Sequence, residues 1–146
     1  MSLPIAPYPT VPQGPTAYRR SLRVTGPVLA LMPPLVLGAA AALLLAGNDT
    51  AWRGVLGFVC GIMAAPLMLL TGVPLRPGSS AVLMGIAASA LMWVLVGVWA
   101  ARRATRRPAA DWRDFWREYR WLAVPVWVGV LLAAVLANLW LGRGLL

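Results

Sequence analysis

Four stretches without a charged side chain constrain this chain more than any motif in it. Val24–Asn48, Gly54–Leu75, Pro77–Ala101 and Trp121–Gly142 run 25, 22, 25 and 22 residues. At a rise of about 1.5 Å per residue, each is long enough as a helix to cross a hydrocarbon core of roughly 30 Å. Only 12% of the chain is charged and 60% is apolar, whereas soluble domains average about 25% charged. With 146 residues in all, nothing remains for a soluble domain beside four such helices. The spacing predicts an all-α polytopic membrane protein: four transmembrane helices near 26–47, 54–75, 79–101 and 121–142, with a short interfacial amphipathic helix.

Between these windows the chain is punctuated. Pro4, Pro7, Pro9, Pro12 and Pro15 fall in the first 17 residues. Proline fixes φ and removes an amide donor, so residues 1–17 read as a disordered proline-rich tail ahead of a membrane domain over 18–146. Pro33-Pro34 removes two donors from the first window and predicts a kink that neighbouring helices must accommodate. Pro66 and Pro74 interrupt the second. Each window carries small residues four apart: Gly38/Ala42/Ala46, Gly57/Gly61/Ala65, Ala81/Gly85/Ser89 and Gly129/Ala133/Ala137. Lipid tails are as apolar as leucine, so helices associate in a bilayer through close backbone approach, and these ladders predict bundling. Gly57, Gly61, Gly85 and Gly129 are the expected packing positions. Asn138, near the end of the last window, is expected to hydrogen-bond across helices.

All 13 basic residues are arginine, and seven occupy Arg102–Arg120. Arg102, Arg103, Arg106 and Arg107 extend the third helix until Pro108 stops it. Asp111 is placed to cap a new helix, DWRDFWREYRW, in which Trp112, Phe115, Trp116 and Tyr119 share one face. That pattern predicts a helix lying in the membrane interface with its aromatic side toward the lipid. With the N-terminus outside, eight arginines fall on the inner side and five on the outer, so the positive-inside rule favours both termini outside and the arginine loop in the cytoplasm. The trio Arg19, Arg20 and Arg23 opposes that arrangement. A re-entrant second window would put both arginine clusters in the cytoplasm, but such a segment needs protein around its backbone, and a chain this small offers little.

Function is bounded first by what is missing. The chain has no histidine and only four acids, Asp49, Asp111, Asp114 and Glu118, all outside the charge-free windows. Histidine-activated nucleophiles and histidine ligation of zinc or haem are excluded. Proton relays and voltage sensors need ionisable groups within the spans, and Cys60 is the only one present. Glycine-rich phosphate loops are absent too. The expectation is a non-enzymatic protein with no cofactor and no bound metal, which works by association with itself or with a larger membrane partner.

Arg102, Arg103, Arg106, Arg107, Arg113, Arg117 and Arg120 are the candidate contacts to a polyanion. Anionic lipid headgroups are one partner, at on the order of 1 kcal/mol per arginine near the surface. DNA is the other, since the arginines are interleaved with aromatic rings able to stack on bases. Asp111, Asp114 and Glu118 bring the loop's net charge to +4. In length, arginine-only basicity, hydrophobic windows and the segment RRATRRPAADWRDFWREYR, the chain resembles the small hydrophobic spread proteins of conjugative plasmids of Streptomyces and relatives. The resemblance implies a membrane accessory role beside a DNA translocase, helping plasmid DNA pass between mycelial compartments, and it carries no residue roles. An accessory or assembly subunit of a respiratory or transport complex is the alternative.

Overall fold

The computed structural model describes residues 15–46, 50–71, 79–106 and 110–141. Within them the chain is helical throughout: α1 (Pro15–Leu29), α2 (Met32–Leu45), α3 (Ala51–Ala64), a 3-10 turn over Pro66–Thr71, α4 (Ser79–Ala104) and α5 (Trp112–Leu141). Three helical stretches, Ala17–Leu45, Ser80–Ala104 and Trp112–Trp140, are long and apolar enough to cross a membrane. α3 is apolar but shorter. Its 14 residues span only about 21 Å.

α1 and α2 form one helix broken at Ala30–Leu31. Pro33 and Pro34 have no amide hydrogen, so the carbonyls of Leu29 and Ala30 lose their ordinary partners four residues on. The break tightens locally, with Leu31 N–H donating to Val28 at 3.1 Å, before the α-helical pattern resumes from Leu35 to Leu31 at 2.9 Å. Beyond the break, α2 packs closely against α3, with no room for a side chain at Gly57, where an added Cβ would lie 2.8 Å from Leu45 Cγ. α1 packs against α4 instead. There an added Cβ on Gly97 would lie 2.5 Å from the Ala30 Cβ and 2.8 Å from the Pro27 Cα.

The second window is not one long helix. α3 ends at Ala64, and Pro66, with no N–H and with its ring against the preceding turn, turns the chain into the 3-10 segment. Three side chains from other helices satisfy the backbone groups exposed by that break. The Trp127 indole donates to the Met63 carbonyl at 3.2 Å, and the Trp93 indole to the Ala64 carbonyl at 2.9 Å. The Leu67 N–H donates to Ser89 Oγ at 3.1 Å, and that hydroxyl donates to Gly85 at 2.7 Å.

The core lies between α1, α4 and α5. Trp93, Phe115, Tyr119 and Leu22 are fully buried against Ala100, Ala101, Ala104 and Ala123. Small residues on α4 and Gly26 on α1 leave room for rings: an added Cβ on Gly26 would sit 3.0 Å from Phe115 Cε2. The expected separate interfacial helix is instead the first third of the 30-residue α5, and its aromatic face points into the bundle. Trp112, Phe115, Trp116, Tyr119, Trp93 and Trp127 form a connected series of rings with centroids 5.2–6.2 Å apart. Tyr119 also donates its hydroxyl to the Ala30 carbonyl at 3.0 Å, the acceptor that Pro34 leaves unpaired.

Of the expected packing positions, Gly57 and Gly61 face α2, and Gly85 is buried on α4. An added Cβ on Gly129 would meet nothing within 4 Å. Asn138, on the last turns of α5, is half-buried and has a partner. The expected tail and the loops at 47–49, 72–78 and 107–109 lie outside the described residues, except that Pro15–Ala17 are already the first turn of α1.

Candidate functional site at the arginine-rich end

The N-terminal arginines and the arginine loop, expected at opposite ends of the molecule, lie at the same end. Arg19 and Arg23 are four apart, so they project from one face of α1. Arg19 Nη2 donates to the Thr105 carbonyl at 2.5 Å, and Arg23 Nε donates to Thr105 Oγ1 at 3.1 Å. Thr105 is fully buried, and its hydroxyl donates in turn to the Ala101 carbonyl at 2.8 Å. Thr105 directly follows α4, where backbone carbonyls run out of intrahelical amide partners, so an arginine brought in from α1 satisfies its carbonyl and interacts favourably with the helix dipole.

α5 supplies the third side of the site. Asp111 Oδ1 accepts the Asp114 N–H at 2.8 Å, which caps the start of α5. Asp114 holds Arg117 at 2.6 Å three residues on, and Glu118 holds Arg103 of α4 at 3.3 Å. Both pairs are partly open to solvent and are worth little as stability. Their consequence is selective: they occupy Arg103 and Arg117. Arg20, Arg102, Arg106, Arg113 and Arg120 are exposed, with no ion pair among the described residues. Arg107 lies outside those residues.

Between α1 and α4, Arg23 and Arg102 flank a groove of about 440 Å³ whose wall is Val98 and Ala101. A second depression of about 330 Å³, formed by Arg19, Arg20, Arg23 and Val24, shares Arg23 with it. Each combines guanidinium groups with an aliphatic wall. The aromatic rings, by contrast, are turned inward: Phe115 and Tyr119 are buried, and Trp112 and Trp116 are half-buried in the ring series. Trp121 is the exposed ring at this end of α5.

Sequence reasoning selected the seven arginines of the loop and missed Arg19, Arg23 and Thr105. The i, i+4 spacing of Arg19 and Arg23 and the lone hydroxyl between two arginine pairs were the available signals. Neither says which helix lies alongside.

No protein-family model matches the chain, and no curated protein or solved structure matches it.

Proposed function

We propose that this chain is a non-enzymatic integral membrane protein of three crossings and one re-entrant hairpin, whose arginine-rich end faces the cytoplasm and engages anionic groups there. The contact of Arg19 and Arg23 with Thr105 carries this reading. α1–α2 begins among the arginines and runs away from them. α4 begins at the opposite end and runs back to Thr105. Whatever joins Leu45 to Ser79 therefore starts and finishes at that opposite end and cannot cross once. α3 and the 3-10 turn fit a segment that enters and returns, and their broken backbone is satisfied by Trp93, Trp127 and Ser89, as non-helical backbone at membrane depth requires.

Two further features support the reading. Ten of the 13 arginines then fall on one side, against Arg53, Arg76 and Arg143 on the other, a larger bias than eight against five. On α5, the exposed indoles of Trp121 and Trp140 are 19 residues apart, about 28 Å, which matches two interfacial belts across a hydrocarbon core. Apolar side chains such as Leu132, Leu136 and Leu139 stand exposed between them, as they would toward lipid.

The biological role we infer is accessory: a small bundle that associates with a membrane partner and presents a basic cytoplasmic face. Assistance to plasmid DNA passage is the process the spread-protein resemblance implies. Ten arginines with three acids support polyanion contact at that end, though the inward rings leave little for stacking on bases. An assembly subunit of a larger complex is supported by the outer face of α5, where Gly129 is open and Val128, Leu132 and Val135 are exposed.

Cysteine accessibility in a Cys60→Ser background tests the topology. Positions 14 and 109 are expected to label from the cytoplasmic side and position 48 from the other. Labelling of 14 and 109 from opposite sides would overturn it. Retention of DNA on purified protein, compared with an Arg102, Arg103, Arg106 and Arg107 to glutamine variant, tests the plasmid role: wild-type protein that inserts but retains no DNA at low salt removes it.

A further inference from the structure

We propose that the groove between α1 and α4 binds one anionic glycerophospholipid, with its phosphate between Arg23 and Arg102 and the start of an acyl chain along Val98. This rests on the membrane reading above and assigns that end of the molecule a specific ligand.

The groove has the elements such a ligand needs. Phosphate is recognised by guanidinium forks, which donate two parallel N–H groups to its oxygens. Arg23 is held in place, because its Nε is committed to Thr105 Oγ1 at 3.1 Å, while its two Nη groups make no hydrogen bond to the described residues. Holding a side chain in its binding geometry removes much of the ordering cost of binding. Arg102 stands across the groove without an acid partner among the described residues, while the neighbouring Arg103 and Arg117 are occupied by Glu118 and Asp114. The acids of this end thus neutralise the arginines outside the groove and leave charge inside it.

The wall decides between lipid and other phosphates. Ala101 and Val98 lie progressively deeper along α4 from Arg102, so the groove changes from cationic to aliphatic in the direction of the hydrocarbon. A free phosphate or a nucleic-acid backbone has nothing to place on that wall. An anionic lipid places its phosphate at the arginines and its methylenes below them. The adjoining depression at Arg19, Arg20 and Val24 shares Arg23 and gives room for the remainder of the headgroup.

The test counts lipids retained by detergent-purified full-length protein, using native mass measurement after exposure to phosphatidylglycerol or phosphatidylcholine. One phosphatidylglycerol is expected on the wild type, in preference to phosphatidylcholine. Arg23→Gln and Arg102→Gln should each lower that retention about fivefold, and Arg117→Gln, at the same end but outside the groove, should not. Thr105→Val keeps every charge and frees Arg23, so a partial loss is expected there. Arg23→Lys, which keeps the charge without the fork, guards against misfolding and should fall between wild type and Arg23→Gln at unchanged helical content. Equal losses in Arg117→Gln would show diffuse surface charge and overturn the site. Displacement of the lipid by inorganic phosphate or by a short DNA duplex at matched phosphate concentration would overturn the lipid assignment. Vesicle flotation separates the two ideas: protein that does not float removes the membrane reading, whereas protein that floats but shows no groove-dependent retention removes only this proposal.

Discussion

Proline sets the residue-scale problem in this protein, and aromatic donors answer it. A proline in or beside a helix leaves a carbonyl four residues earlier without its amide, and in an apolar interior that carbonyl has no water to turn to. The Ala30 carbonyl, orphaned by Pro34, receives the Tyr119 hydroxyl at 3.0 Å. Tyr119→Phe removes that donor and little volume. A loss of about 1–2 kcal/mol is expected in reversible unfolding from detergent micelles, and an unchanged midpoint would show that the bond contributes nothing. Glycine gives a second contrast. An added Cβ on Gly97 would press on the Ala30 Cβ and on the Pro27 backbone, neither of which can rotate away, whereas Gly129 is open. Gly97→Ala should cost about 1–3 kcal/mol through overpacking. Gly129→Ala should be neutral or stabilising by up to about 1 kcal/mol through helix propensity. The opposite order in the same unfolding assay would contradict the α1–α4 packing.

At the scale of elements, α3 and the turn after it depend on helices far away in the chain. α3 is stopped by Pro66, and its end is held by Trp93 and Ser89 of α4 and Trp127 of α5. Cys60, half-buried on α3, reports on that arrangement. Trp93→Phe with Trp127→Phe retains two rings and removes both indole donors. The double variant should label at Cys60 with a small maleimide several-fold faster than wild type while its helical content holds. An unchanged rate would mean that the indoles do not secure the end of α3. The same tryptophans lie in the ring series of α5, so the aromatic residues both fill the core beside the alanines and repair the backbone.

For the whole molecule, the proposed membrane reading takes its number of crossings from the antiparallel pairing of α1 with α4. Four crossings and three crossings with a hairpin both place the C-terminus outside, so only the N-terminal side distinguishes them. The arginine bias makes a further prediction. Under the three-crossing proposal, changing Arg19, Arg20 and Arg23 to glutamine leaves seven arginines at the arginine-rich end against three, so a reporter fused at the C-terminus should stay outside. In the four-crossing arrangement the same change removes the only cluster opposing the loop, and orientation should become more uniform. Mixed orientation in the wild type that the triple variant resolves would therefore favour four crossings.

Hydropathy and charge, which are sums over local stretches, determined the all-helical character and the presence of three helices long and apolar enough to cross a membrane, though these run on through arginines that the charge-free windows leave out. The Asp111 cap was legible for the same reason, since a cap involves neighbours within one turn. The direction of the aromatic face was not. Trp112, Phe115, Trp116 and Tyr119 have the same spacing whether they meet headgroups or a core, and the choice fell to Ala100, Ala101, Ala104 and Gly26, which leave space for rings. Nor was the fate of the second window legible. Its apolarity allows a crossing, and only Trp93, Ser89 and Trp127, 22 to 64 residues away from the groups they bond, make a broken segment satisfiable. The pairing of Arg19 and Arg23 with Thr105, more than 80 residues distant, placed both arginine clusters at one end. Composition specifies what each segment can be, but long-range hydrogen bonds and side-chain volume decide which face turns inward and where the chain returns.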